Sequence, residues 1–68
     1  MQDDQMVHMA NQIAMFFSAY PYDEALAGVT NHIRQFWERR MRDQIKNYVA
    51  QGGGGLSDLA LEAVKQLG

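Results

Sequence analysis

Apolar residues recur along this chain at intervals of three and four, the spacing that places them on one face of an α-helix. Met6, Met9/Ala10, Ile13 and Phe16/Phe17 make a first stripe and predict a helix over about residues 4–19, with Asp3 or Asp4 as its N-cap. Leu26, Val29, Ile33 and Phe36/Trp37 make a second stripe that starts near Asp23, another expected cap, and Met41, Ile45, Tyr48 and Val49 make a third. The apolar phase is almost unbroken from Leu26 to Tyr48. Pattern alone therefore admits one rod of about 40 Å at 1.5 Å per residue, or two helices over about 22–37 and 39–51. Tyr20-Pro21-Tyr22-Asp23 is a turn signal, because proline fixes its own φ and disfavours helix at the residue before it. Gly52 to Gly55 is a flexible break, and Gly52 suits the left-handed cap that ends many helices. Leu56-Ser57-Asp58 opens a short fourth helix over about 57–67, with Ser57 as N-cap, Leu56 placed to staple onto Leu61, and Ala60, Ala63/Val64 and Leu67 as its stripe. Strand-like alternation is scarce. The pattern predicts an all-α fold, a single small helical domain over 1–68 with three to four helices and a Gly-rich break at 52–55.

Length and charge narrow what such a domain does. At 68 residues, a chain buries only about 60% of the surface its unfolded form exposes, so it is marginal alone. With no cysteine, disulfides, thiolate zinc, iron–sulfur ligation and thiol catalysis by this chain are all excluded, and a reducing compartment fits. The formal charge of −2 argues against general polyanion binding. That charge is uneven: residues 1–33 carry −4, residues 34–46 carry +3 and the remainder −1, so the middle is a basic island built from Arg34, Arg39, Arg40, Arg42 and Lys46. The longest apolar run, Ile13 to Phe17, is far short of the roughly 20 residues that span a bilayer. Asp3 and Asp4 sit where a signal peptide would place positive charge. A soluble, cytoplasmic chain is expected.

Motifs for chemistry are absent from the pattern. His8 and His32 lie in different segments and neither belongs to a His-x-x-x-His pair, so a capping or hydrogen-bonding role is expected for each and no metal site. Ser18 and Ser57 are the only serines, and neither lies in a Gly-x-Ser-x-Gly elbow. Asp3/Asp4 and Asp23/Glu24 stand at predicted helix starts, where the helix dipole accounts for them. The glycine tetrad lacks the Gly-Lys-Ser/Thr ending of a phosphate loop. No catalytic, cofactor-binding or metal residue is expected.

Aromatic and methionine content is the strongest clue. Phe16, Phe17, Tyr20, Tyr22, Phe36, Trp37 and Tyr48 accompany five methionines. Neighbours such as Phe16-Phe17 and Phe36-Trp37 would point about 100° apart on a helix, so one narrow core cannot take both members. About half of the rings are expected in the core, and the rest form an exposed patch unless another protein covers them. These residue types, with arginine, are enriched in interface cores, so the chain reads as a subunit. The basic island reads first as a solvated face, and beyond that as a contact for a protein partner with an acidic rim.

A resemblance then enters. His8-Met9-Ala10-Asn11-Gln12-Ile13-Ala14 followed by Phe16-Phe17 resembles the opening of the delta subunits of NAD-dependent formate dehydrogenases. His32-Ile33-Arg34, Phe36-Trp37 and Arg40-Met41-Arg42 are similar to that family's second signature, and the glycines before Leu56 with a short alanine- and leucine-rich helix to its tail. One departure is that the family typically has Asp-Pro where this sequence has Glu38-Arg39; Asp-Pro would start a new helix through an N-cap and a first-turn proline. The resemblance implies a non-catalytic accessory subunit that docks on the large catalytic subunit of a soluble molybdenum or tungsten formate dehydrogenase and supports its assembly or cofactor-loaded state. It implies that the bis-pterin metal cofactor, iron–sulfur clusters, FMN and NAD belong to the parent complex and none to this chain. The expected partner-binding residues are His8, Asn11, Gln12, Phe16, Phe17, His32, Arg34, Phe36, Trp37, Arg40 and Met41. Neither nucleic acid nor a membrane is an expected partner, and self-association of the isolated chain is left open. The alternative is a small self-associating helical DNA-binding regulator that uses the basic 34–46 segment.

Overall fold

A computed structural model describes residues 2–67. It contains four helices, α1 (Asp3–Phe17), α2 (Tyr22–Phe36), α3 (Arg39–Ala50) and α4 (Asp58–Gln66), and no strand among the described residues, so the all-α expectation holds. The helices pack around one core, with α2 lying chiefly on α1 and α4. Two stripes at four-residue spacing build most of it: Met6, Ala10 and Ala14 from α1, and Ala25, Val29, Ile33 and Trp37 from α2 and the residue that follows it. Ile45 of α3 and Ala60, Ala63 and Val64 of α4 close the core. Five alanines among the buried positions let the helix backbones come close, and the larger side chains fill what remains. Thr30 is the one buried polar side chain among the described residues, and its hydroxyl donates to the Leu26 carbonyl one turn back, at 2.7 Å.

Each helix ends for a local reason. At the start of α1, Gln2 occupies the cap position without a side-chain bond, and Asp3 and Asp4 fall in the first turn instead of capping it. The α1 helix stops at Phe17, short of the expected 19, because Ser18 turns back on Met15 through both its hydroxyl (2.6 Å) and its N–H (3.3 Å). Pro21, not Asp23, precedes α2 as its cap residue, and its carbonyl receives the Ala25 N–H at 2.8 Å. Asp23 and Glu24 lie in the first turn, where a negative charge suits the helix dipole.

The long apolar phase resolves into two helices. Trp37 and Glu38 are both extended, with ψ of 139° and 155°. No Asp-Pro is needed, because Arg42 braces the break from the far side: its Nη1 donates to the carbonyls of Arg34 (2.9 Å) and Trp37 (2.8 Å), two groups that the end of α2 leaves without helical partners. Helix α3 ends in a Schellman motif, in which the Gly53 N–H donates to Tyr48 (3.1 Å) and the Gly52 N–H to Val49 (3.0 Å). Gly53 has φ of +63°, and a Cβ there would lie 2.6 Å from Leu61 Cδ1, so glycine serves both the conformation and the close approach. The Tyr48 hydroxyl then donates to the Gly54 carbonyl. Ser57 caps α4 as expected, accepting the Ala60 N–H at 3.3 Å.

Candidate partner-binding surface

The exposed side of α1 and the adjoining side of α2 carry the rings that the core does not take. Phe17 turns inward and is half-buried, whereas its neighbour Phe16 is 69% exposed. The two rings meet edge to face, with centroids 5.1 Å apart, and Phe17 also lies 6.0 Å from Tyr20. Phe17 can lie this close to α2 because Gly28 has no side chain: a Cβ at Gly28 would stand 2.5 Å from two atoms of the Phe17 ring. The second adjacent pair divides in the same way. Phe36 is 71% exposed and Trp37 only 5%. Phe36 packs against half-buried His32 one turn earlier, with ring centroids 4.8 Å apart.

Gln12, Ile13, Phe16, Phe17 and His32 line a groove of about 350 Å³ between α1 and α2, and the His32–Phe36 stack extends it along α2. Its lining is almost wholly apolar carbon, with one amide and one imidazole to orient a partner. Met15, Tyr20 and Tyr22 add further exposed apolar surface on the molecule. Such a groove suits a hydrophobic side chain or helix from another protein.

Of the residues expected to bind a partner, Gln12, Phe16, Phe17, His32 and Phe36 come together here. His8 is exposed further back on α1, in a shallow pocket with Asp4, Gln5 and Met9. The others lie elsewhere. Trp37, expected among the contact residues, lies in the core of the chain: it stands after the last residue of α2 on extended backbone, so the helical angle between it and Phe36 does not apply. Asn11 is spent inside the chain, its Nδ2 donating to the Gly55 carbonyl and its Oδ1 accepting the Ser57 N–H, both at 2.9 Å. Met41 is half-buried against the core, and Arg40 is exposed on α3. Arg34 reaches Asn31 Oδ1 (3.2 Å) and the Gln66 carbonyl (3.3 Å) at a different recess. Ile13, counted with the core stripe in the sequence, is the groove residue that the contact set lacked; its place one turn before Phe16 and Phe17 was the available signal.

Among the described residues, no group of three or more histidines and carboxylates could hold a metal ion. Among those residues, too, no helix is long and apolar enough to cross a membrane. Comparison with curated proteins and with solved structures returns no match. A family model does match: that of the NADH-dependent formate dehydrogenase delta subunit FdsD, over residues 5–64. Covering nearly the whole chain, that match agrees with the resemblance carried by the His8–Phe17 and His32–Arg42 segments, and the chain belongs to the formate dehydrogenase delta subunit family.

Proposed function

We propose that this chain is a non-catalytic accessory subunit that docks on the large catalytic subunit of a formate dehydrogenase and supports assembly of the complex or its cofactor-loaded state. The observation that carries the reading is the aromatic groove between α1 and α2, where Phe16 and Phe36 stand 69% and 71% exposed in a chain whose family is named for a subunit. A subunit works in contact with other chains, and an apolar surface of this kind is what a stable interface would cover. In this reading the complex works in the cytoplasm. The bis-pterin molybdenum or tungsten centre, the iron–sulfur clusters, FMN and the NAD site all lie in partner subunits.

The test is co-purification. A tagged delta subunit carrying Phe16→Ala and Phe36→Ala is expressed with the other subunits. Each side chain is mostly solvent-exposed, so helix content and melting should stay near wild type. An anchor ring at an interface is worth about 2 kcal/mol or more, so the pair should weaken capture of the catalytic subunit by well over tenfold. Undiminished capture by a folded double variant would overturn the assignment of the groove.

A further inference from the structure

A second recess lies where α2, α3 and α4 meet, with different chemistry. Arg34, Arg39, Arg42, Asp43, Lys46 and Leu67 line a cleft of about 330 Å³. Four cations face one carboxylate, so the cleft carries +3 on a chain whose net charge is −2. Two of the cations are held in place by the fold: Arg42 through the carbonyls of Arg34 and Trp37, and Arg34 through Asn31 and the Gln66 carbonyl. The other two are available. Arg39 meets Asp43 only at 3.8 Å, between two highly exposed side chains, a pairing worth little in water. Lys46 is half-buried in the cleft and no described residue pairs with its ammonium.

We propose that this cleft binds an acidic, extended segment of a partner protein. The arrangement of the charges selects that ligand. Arg39, Arg42 and Lys46 follow one another along α3 at intervals of three and four, a row about 10 Å long at 1.5 Å per residue. An extended chain places side chains of one face about 7 Å apart, so carboxylates at alternate positions run along such a row, whereas a single phosphate group would meet only one end of it. Arginine forks hold carboxylates in a bidentate manner, and Leu67 gives an aliphatic wall for a neighbouring side chain. With +3 in the cleft and −2 overall, the rest of the chain carries −5, which disfavours a long polyanion that would run beyond the cleft. This site is independent of the aromatic groove and would stand if that assignment failed.

The experiment measures fluorescence anisotropy of a labelled short peptide of alternating glutamate and serine, added to the full chain at about 50 mM and about 200 mM salt. Tripolyphosphate and a short DNA duplex serve as competitors. Binding is expected at the lower salt and should weaken at the higher. The double variant Arg39→Glu/Lys46→Glu should bind about tenfold or more weakly, as expected when charge contacts are reversed. That variant leaves the bracing residues Arg34 and Arg42 intact, and circular dichroism confirms its fold. Phe16→Ala/Phe36→Ala should bind the peptide as wild type does. Absence of peptide binding, equal binding by the charge-reversed variant, or displacement by tripolyphosphate or DNA at lower concentration than by unlabelled peptide would each overturn the proposal.

Discussion

Trp37 is the residue on which core and contact readings diverge most sharply. At 5% exposure it lies against a cluster that includes Met6, Ile33 and Ile45, and its carbonyl receives Arg42. A buried tryptophan removes about 150–250 Å² from water, which at about 25 cal/mol per Å² is worth roughly 4–6 kcal/mol. Alanine keeps a little of that, so a loss of about 3–5 kcal/mol is expected for Trp37→Ala. Domains of this length have total stabilities of only about 3–10 kcal/mol, so the substitution removes a third of the margin at the least and more than all of it at the most. At about 4–8 °C per kcal/mol, the melting midpoint should fall by at least about 12 °C, or folding should fail. Thermal denaturation followed by circular dichroism reads this directly. The wild-type chain supplies an independent check, because Trp37 is its sole tryptophan and its emission should be blue-shifted when folded and move to the red on heating. A Trp37→Ala chain that melted near the wild-type midpoint but lost its partner would refute the core assignment and return Trp37 to the interface.

Two further substitutions probe the links between elements. Asn11→Ala removes both bonds that tie α1 to Gly55 and Ser57 and should cost about 1–3 kcal/mol in chemical denaturation; Asn11→Asp, which keeps the acceptor for the Ser57 N–H, should recover part of it. An alanine scan showing no loss at Asn11 would mean that the α3–α4 connection is held by Tyr48 and the glycines alone. Gly28→Ala sets about 1 kcal/mol of improved helix propensity against eviction of the Phe17 ring, an overpacking cost of about 1–3 kcal/mol. Its stability should therefore change little or fall modestly while capture of the catalytic subunit falls, and unchanged capture would show that the position of Phe17 does not matter to docking.

Much of the architecture was legible because three- and four-residue periodicity reports directly on which side of a helix is buried. The expected spans of about 22–37 and 39–51 differ from α2 and α3 by a residue or so at their ends. Ser57 was identifiable as a cap since a serine before an apolar stripe has a short oxygen ready for the third amide. Asp3 and Asp23 misled for the opposite reason: acids favour the cap and the first turn alike, and only geometry tells that they take the turn. The candidate surface was less legible. Which ring of Phe36-Trp37 faces inward depends on where α2 stops, and there Arg42 reaches back eight and five positions to two carbonyls, a side-chain bond with no signature in the apolar periodicity. Asn11 was likewise placed with the contact residues, while its partners lie 44 and 46 positions away at the other end of the chain.

The division of each adjacent ring pair between inside and outside has a consequence for recognition. Phe16 is joined through the backbone to a ring wedged on Gly28, and Phe36 to one buried in the core cluster, so neither outward ring rides on a loose support. Fixing a mobile side chain on association costs about 0.5–1.5 kcal/mol, and here the fold has already met part of that cost. Loosening the interior should therefore slow nothing in the encounter itself yet shorten the lifetime of whatever complex forms.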